Sequence, residues 1–438
     1  MPQDVDTLID AGWVIPVEPR GALPKHSIAI SNGTIEAVLP TAEAHARFSA
    51  KQQVRLENHA LIPGLVNLHT HAAMTLMRGL ADDLPLMEWL NHHIWPAEAK
   101  HVSPLFVHDG TLLACAEMLR GGVTCFNDMY FFPEAAAKAA LEAGMRAAIG
   151  IIVIEFPSNY AGDPEDYLNK GLATRDELRS QPLLSFCMAP HAPYTVSDKT
   201  FGKLLTYAQQ LDLPIHIHLQ ETLHEIQHSL EQYKMRPLER LHKLGLLGPN
   251  FIAVHAVHVT AQEIALLANQ SCNVAHCPSS NLKLASGFAP VASLLDHGIN
   301  VGLGSDGAAS NNSLDLFEEI RLAAILAKAV SSRADALPAH QALRMATLNG
   351  ARALGLDGKI GSLTPGKAAD ITAVDFSGLE LSPCFDPVSH LVYAAGREQV
   401  SHVWVNGKLL LDKRQLTTLS VEDISAKTCY WQEKIGVA

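Results

Sequence analysis

Between Pro63 and about Asp306 the chain repeats one format eight times, in which a short run rich in β-branched apolar residues ends on a polar residue and an amphipathic segment follows. The runs are Leu65 to His71, Val123 to Asp128, Ile149 to Glu155, Leu183 to His191, Pro214 to Glu221, Phe251 to His258, Cys272 to Pro278 and Val301 to Asp306. Runs this apolar belong to strands buried on both faces, as in a parallel sheet covered by helices. Between them, HDGTLLACAEMLRGG has helical spacing and stops at Gly121, where a C-cap glycine is expected. Eight strand–helix units in roughly 250 residues match a TIM barrel, whose reactive groups gather at the C-terminal ends of its strands. Six or more of the runs end in His, Asp or Glu. A doubly wound open sheet is the alternative, but it would crowd polar residues around one crevice instead of nearly every strand end.

The two ends of the chain read differently. Residues 1–62 and 367–438 carry short strand-like segments and two hairpin signals, Asn32-Gly33 and Asn406-Gly407. The expected organisation is therefore an α/β chain with a (β/α)8 barrel over 63–366 and a small β-sandwich domain formed jointly by 1–62 and 367–438.

Charge narrows the partners. A net charge of −12 without a Lys/Arg run has the wrong sign for neutralising phosphates, so no nucleic acid is expected. No apolar stretch nears the roughly 20 residues of a membrane span, the N-terminal segment lacks a signal-peptide pattern, and the seven cysteines are scattered and odd in number. These features predict a cytoplasmic protein with reduced thiols; a homo-oligomer stays open.

The strongest local signal is PGLVNLHTH, where His69 and His71 lie two apart on a strand and share one side. A lone H-x-H is as readily an ordinary polar strand pair as a ligand pair. The fifth run adds His216, His218 and Glu221, and the eighth ends in Asp306 before a glycine-rich turn. In a barrel, strand eight closes against strand one, so histidines from strands one and five and a carboxylate from strand eight can meet at one cation. Nitrogen and oxygen ligands suit a divalent metal, zinc first, with iron or manganese also compatible.

HTH on strand one, HLQE on strand five, VHAVHV on strand six, HCPSSNLKL on strand seven and SDGAASNN on strand eight together resemble the amidohydrolase superfamily, over the whole chain. Within it the wording most resembles the methylthioadenosine/S-adenosylhomocysteine deaminases, with the chlorohydrolase and guanine deaminase group next. The resemblance implies metal ligands at His69, His71, His218 and Asp306, with His216 left to packing or to supporting a ligand from behind, and an orienting role for His255 beside the attacking water. It implies proton transfer by Glu221 and Asp306 during hydrolytic loss of ammonia from an adenine ring. It also implies that Glu98 receives ribose hydroxyls and His191 contacts the purine, while His258 is expected to be structural. The apolar residues Met74, Met77, Leu80, Leu86, Met87 and Trp89 are candidates for receiving a thioether. One departure bears on substrate: relatives that accept the homocysteine tail carry arginines after strand three, whereas IGIIVIEFPSNYAGDPEDYLNKG has none. Methylthioadenosine is thus expected over S-adenosylhomocysteine, with adenosine tolerated. The alternatives are a hydrolase of another N-heterocycle and a non-catalytic barrel scaffold.

Overall fold

The computed structural model describes residues 2–436; residue 1 and residues 437–438, which the expected small domain includes, lie outside the described residues. Four strands open the chain, β1 (Gln3–Val14), β2 (Leu23–Ser31), β3 (Thr34–Pro40) and β4 (Phe48–Pro63). Eight follow in the middle: β5 (Leu65–Thr70), β6 (Val123–Asp128), β7 (Arg146–Val153), β8 (Leu184–Pro190), β9 (Ile215–Leu219), β10 (Phe251–His255), β11 (Asn273–His276) and β12 (Asn300–Leu303). Four more close it: β13 (Ile371–Asp375), β14 (Val400–Val405), β15 (Lys408–Asp412) and β16 (Gln415–Leu416).

Strands β5 to β12 pair in chain order, each parallel to the next, at the eight predicted apolar runs. Every residue of β5, β6 and β7 is buried, as strands covered on both faces must be. The seam between β12 and β5 closes partly through a side chain. Asn67 accepts from the Ser305 amide (2.9 Å) and donates to its hydroxyl (2.7 Å), and the Asp306 amide donates to the His69 carbonyl (3.0 Å). The barrel helix Pro104–Arg120 is capped by Gly121, yet the left-handed residue is Gly122 (φ +82°), one position later than the sequence suggested.

The terminal strands form a second sheet in the order β16-β15-β14-β13-β4-β1-β2-β3, so both chain ends share one layer. Both Asn-Gly signals are hairpin turns with two positive φ values each (50° and 77°, 49° and 77°). The sheet curls until these turns touch: a Cβ on Gly33 would sit 2.6 Å from the Asn406 carbonyl oxygen. Ile9, Ile28, Leu61, Ile371 and Trp404 fill the resulting core. The two sheets are joined by a single residue, Gly64, between β4 and β5, where a Cβ would strike the Thr124 side chain at 2.1 Å. A buried ion pair, Arg146 to Asp370 (3.0 Å), bridges them again. The last helix, Val421–Gly436, leaves the sheet and lies on the barrel, where buried Trp431 stacks edge-on to Phe106 and donates to Asp109 (3.0 Å). No described helix is long and apolar enough to cross a membrane, and all seven cysteines are unpaired thiols.

Candidate metal centre and active site

His69 lies on β5 and His71 directly follows it; His218 lies on β9, and Asp306 follows β12. One donor atom from each of these four residues falls within 4.8 Å of all the others. His71 donates from Nδ1 to the Met129 carbonyl, and His218 does the same to the His191 carbonyl, both at 2.6 Å. A carbonyl can only accept, so in each neutral ring Nε2 carries a lone pair. Those two lone pairs face each other at 3.3 Å, and Asp306 Oδ1 stands 3.3 Å from His71 Nε2 and 3.2 Å from His69 Nε2. His69 Nε2 is buried without a hydrogen-bond partner. Lone pairs and a carboxylate aimed at one another repel unless something positive sits among them. Donors about 2.0–2.1 Å from a shared tetrahedral cation would be separated by roughly 3.4 Å, so these residues fit a divalent metal, and the nitrogen–oxygen set suits zinc.

The electrostatics agree. Burial pushes His69 down to about 4 and His218 well below its ordinary value, so both rings are neutral and able to ligate. Burial alone would raise Asp306, but its contact with His69 and the surrounding imidazoles hold it well below the usual carboxylate range. Asp306 sits at φ +61°, and its second oxygen accepts from Ser280 (2.6 Å) and Ser310 (2.9 Å). His216 is fully buried on β9 and shares a 2.9 Å hydrogen bond with His69 Nδ1; it is outside the four-residue cluster and orients a member of it.

A cavity of about 320 Å³ opens above the cluster, and Glu221, His255, Glu98 and His191 all line it. Glu221 approaches His255 Nε2 to 3.8 Å and accepts from the Ser286 hydroxyl at 3.2 Å. Burial raises its carboxyl above the usual range against the opposing pull of His255. The turn that presents Glu221 is gripped from behind: buried Glu225 accepts from the amides of Gln220 (2.9 Å) and Glu221 (3.1 Å), with Gln220 at φ +51°. His255, at φ +69°, donates from Nδ1 to Asn281 at 2.8 Å. His258 points away from the cavity to the Ser286 carbonyl (2.7 Å). Half-buried Glu98, on the helix Trp95–His101, accepts from the Tyr130 hydroxyl at 2.7 Å; burial pushes it up to about 7 although Tyr130 pulls against this. Burial likewise pushes His191 down to about 3, so its ring is neutral beside the cavity.

Of the six apolar candidates, Met74, Leu86 and Trp89 reach the cavity; Met77, Leu80 and Met87 do not line it. Part of the wall is instead aromatic, with Trp95, Tyr130, Phe156 and Tyr160, and among the described residues no Arg or Lys lines the cavity. Sequence reasoning missed Tyr130, Phe156 and Tyr160; the cluster MYFFP directly after β6 was the available signal for the first.

The amidohydrolase family model matches residues 60–410. The chain is 51% identical over 431 residues to the 5-methylthioadenosine/S-adenosylhomocysteine deaminase of Saccharophagus degradans, covering 98% of this chain and 97% of that one. It is 48% identical to the enzyme of the same name from Teredinibacter turnerae, over 99% and 98% of the two chains. Among solved structures it is similar to an adenosine deaminase from Xanthomonas campestris with bound zinc (TM-score 0.99, 49% identity, 100% of both chains). The atrazine chlorohydrolase TrzN of Arthrobacter aurescens superimposes at TM-score 0.89 with 25% identity, over 97% of this chain and 99% of that one. With that coverage, and with histidines and an aspartate of β5, β9 and the end of β12 converging at the barrel mouth, this chain belongs to the amidohydrolase family.

Proposed function

We propose that the chain is a zinc-dependent hydrolytic deaminase that converts the adenine of 5'-methylthioadenosine to hypoxanthine with release of ammonia. The observation that carries this reading is the pairing of a four-residue cation site with a buried carboxyl, Glu221, at the base of one cavity. The names of the relatives support an adenine nucleoside as substrate. When bound, the divalent metal supplies Lewis-acid activation of water, whose pKa it lowers to about 7.

The protein's own groups divide the remaining work. Burial favours the protonated form of Glu221, which gives its proton to the ring nitrogen next to the carbon under attack and takes the hydroxyl proton back as the carbonyl forms. Asp306 is ionised at neutral pH and takes the proton lost by the attacking water, then passes it to the departing amino group. His255, tied by Asn281, holds that water by a hydrogen bond. His191, a neutral ring beside His218, contacts the purine, and Glu98 accepts the ribose hydroxyls. The aromatic part of the wall suits a methylthio group. Without a guanidinium or ammonium there, a homocysteine carboxylate would be buried unpaired. We further divide the chain into a catalytic barrel at 63–366 and a small β domain of 1–62 with 367–438, whose last helix packs on the barrel, and place the protein in the cytoplasm on the strength of its unpaired cysteines.

Purified protein incubated with 5'-methylthioadenosine should lose adenine absorbance with stoichiometric ammonia, and metal analysis of the same sample should find close to one zinc per chain. kcat/KM should fall in the order methylthioadenosine, adenosine, S-adenosylhomocysteine. A chain most efficient with the homocysteine-bearing nucleoside would overturn the tail argument, and chloride release from a chlorotriazine without deamination would overturn the substrate class.

A further inference from the structure

The two residues that follow β6 touch both halves of the cavity. Met129 is stitched to β5 by its amide, which donates to the Thr70 carbonyl (3.0 Å), and its own carbonyl takes the Nδ1 proton of His71 (2.6 Å). The next residue, Tyr130, is 5% exposed, lies with its ring 6.4 Å from that of His71, and donates its hydroxyl to Glu98 Oε1 at 2.7 Å. Adjacent Cα atoms are fixed about 3.8 Å apart by a planar peptide. The dipeptide therefore sets the spacing between the metal cluster and Glu98. From the other side, Asn159 donates to the Ala99 (2.9 Å) and Val102 (3.0 Å) carbonyls and steadies the end of the helix that carries Glu98. A carboxylate has about four lone-pair positions, so one bond from Tyr130 orients Glu98 and leaves room for two hydroxyls.

We propose that Tyr130 is a positioning residue for the nucleoside, its hydroxyl fixing the Glu98 carboxylate so that the ribose diol is held at a set distance from the reacting ring. This rests on the reading of Glu98 as acceptor of the ribose hydroxyls. Loss of the hydroxyl frees the carboxylate to rotate, which weakens the grip on the diol and leaves the chemistry at the ring alone.

The test compares adenosine with 2',3'-dideoxyadenosine, which lacks the diol, across the native protein, Tyr130→Phe, Glu98→Gln and the double variant, each assayed for bound zinc. Tyr130→Phe should lower the ratio of kcat/KM for adenosine over that for dideoxyadenosine about tenfold, chiefly through KM, with zinc content unchanged. In the Glu98→Gln background the same substitution should cost nothing further. If Glu98→Gln leaves the ratio unchanged, the reading of Glu98 fails and the proposal with it. If Glu98→Gln lowers the ratio and Tyr130→Phe does not, only the positioning role is overturned. Equal slowing of both substrates by Tyr130→Phe would make the tyrosine a structural residue and overturn it as well.

Discussion

Glu221 and Asp306 are both buried carboxyl groups, and their surroundings push them in opposite directions, Glu221 up by burial and Asp306 down by the imidazoles around it. A glutamine at 221 keeps the shape and loses the transferable proton. Glu221→Gln should therefore retain zinc by elemental analysis while kcat falls by about 10² to 10⁴. Asp306→Asn should fail earlier, with zinc missing from the purified protein. These side chains were legible in the sequence because each stands at the end of an apolar run, where a strand must deliver a polar residue to the barrel mouth. The choice of His218 over His216 came from resemblance; one strand step separates them, and they serve as ligand-cluster member and hydrogen-bond partner to His69. Ser280 and Asn281, on the short helix Pro278–Lys283, and Ser286 and Ser310 drew no individual role from the sequence, since their contacts with Asp306, Glu221 and His255 exist only after folding.

At the scale of elements, all eight barrel strands and both Asn-Gly hairpins could be read from apolar patterning and turn chemistry. The pairing of the terminal sheet could not. Its central strand β4 runs parallel to β1 and antiparallel to β13, a choice made by distant partners and not by its own mostly exposed first half. The C-terminal helix was equally hidden, because it holds to the barrel through few residues: among the sixteen of Val421–Gly436, only Ile424, Trp431 and Ile435 are buried. Trp431 also satisfies Asp109, which Lys427 approaches from the same helix at 2.9 Å. Trp431→Ala removes the largest of these contacts and should cost about 3–5 kcal/mol in a denaturant titration. A loss below about 1 kcal/mol would mean that the helix contributes little to the fold.

For the molecule as a whole, the cation site joins the ends of β5 and β12, which meet at the seam, to β9 on the opposite side of the barrel. Metal bound to the folded chain and not to the unfolded one should stabilise it by up to about 4 kcal/mol at a thousandfold excess over Kd. Chelation should lower the thermal midpoint, zinc should restore it, and Asp306→Asn should respond to neither. A chelated protein that melts at its original temperature would indicate that the four residues hold no resident ion. The single-residue passage from β4 through Gly64 to β5 has a further implication for biosynthesis. The strand that carries His69 and leads into His71 is threaded directly onto one whose neighbour β13 is translated roughly 300 residues later, so contact order is high. Once Asp306 has been synthesised, all four residues of the cation site exist while β4 still lacks its partner β13, so the terminal sheet is completed after the site's residues are in place.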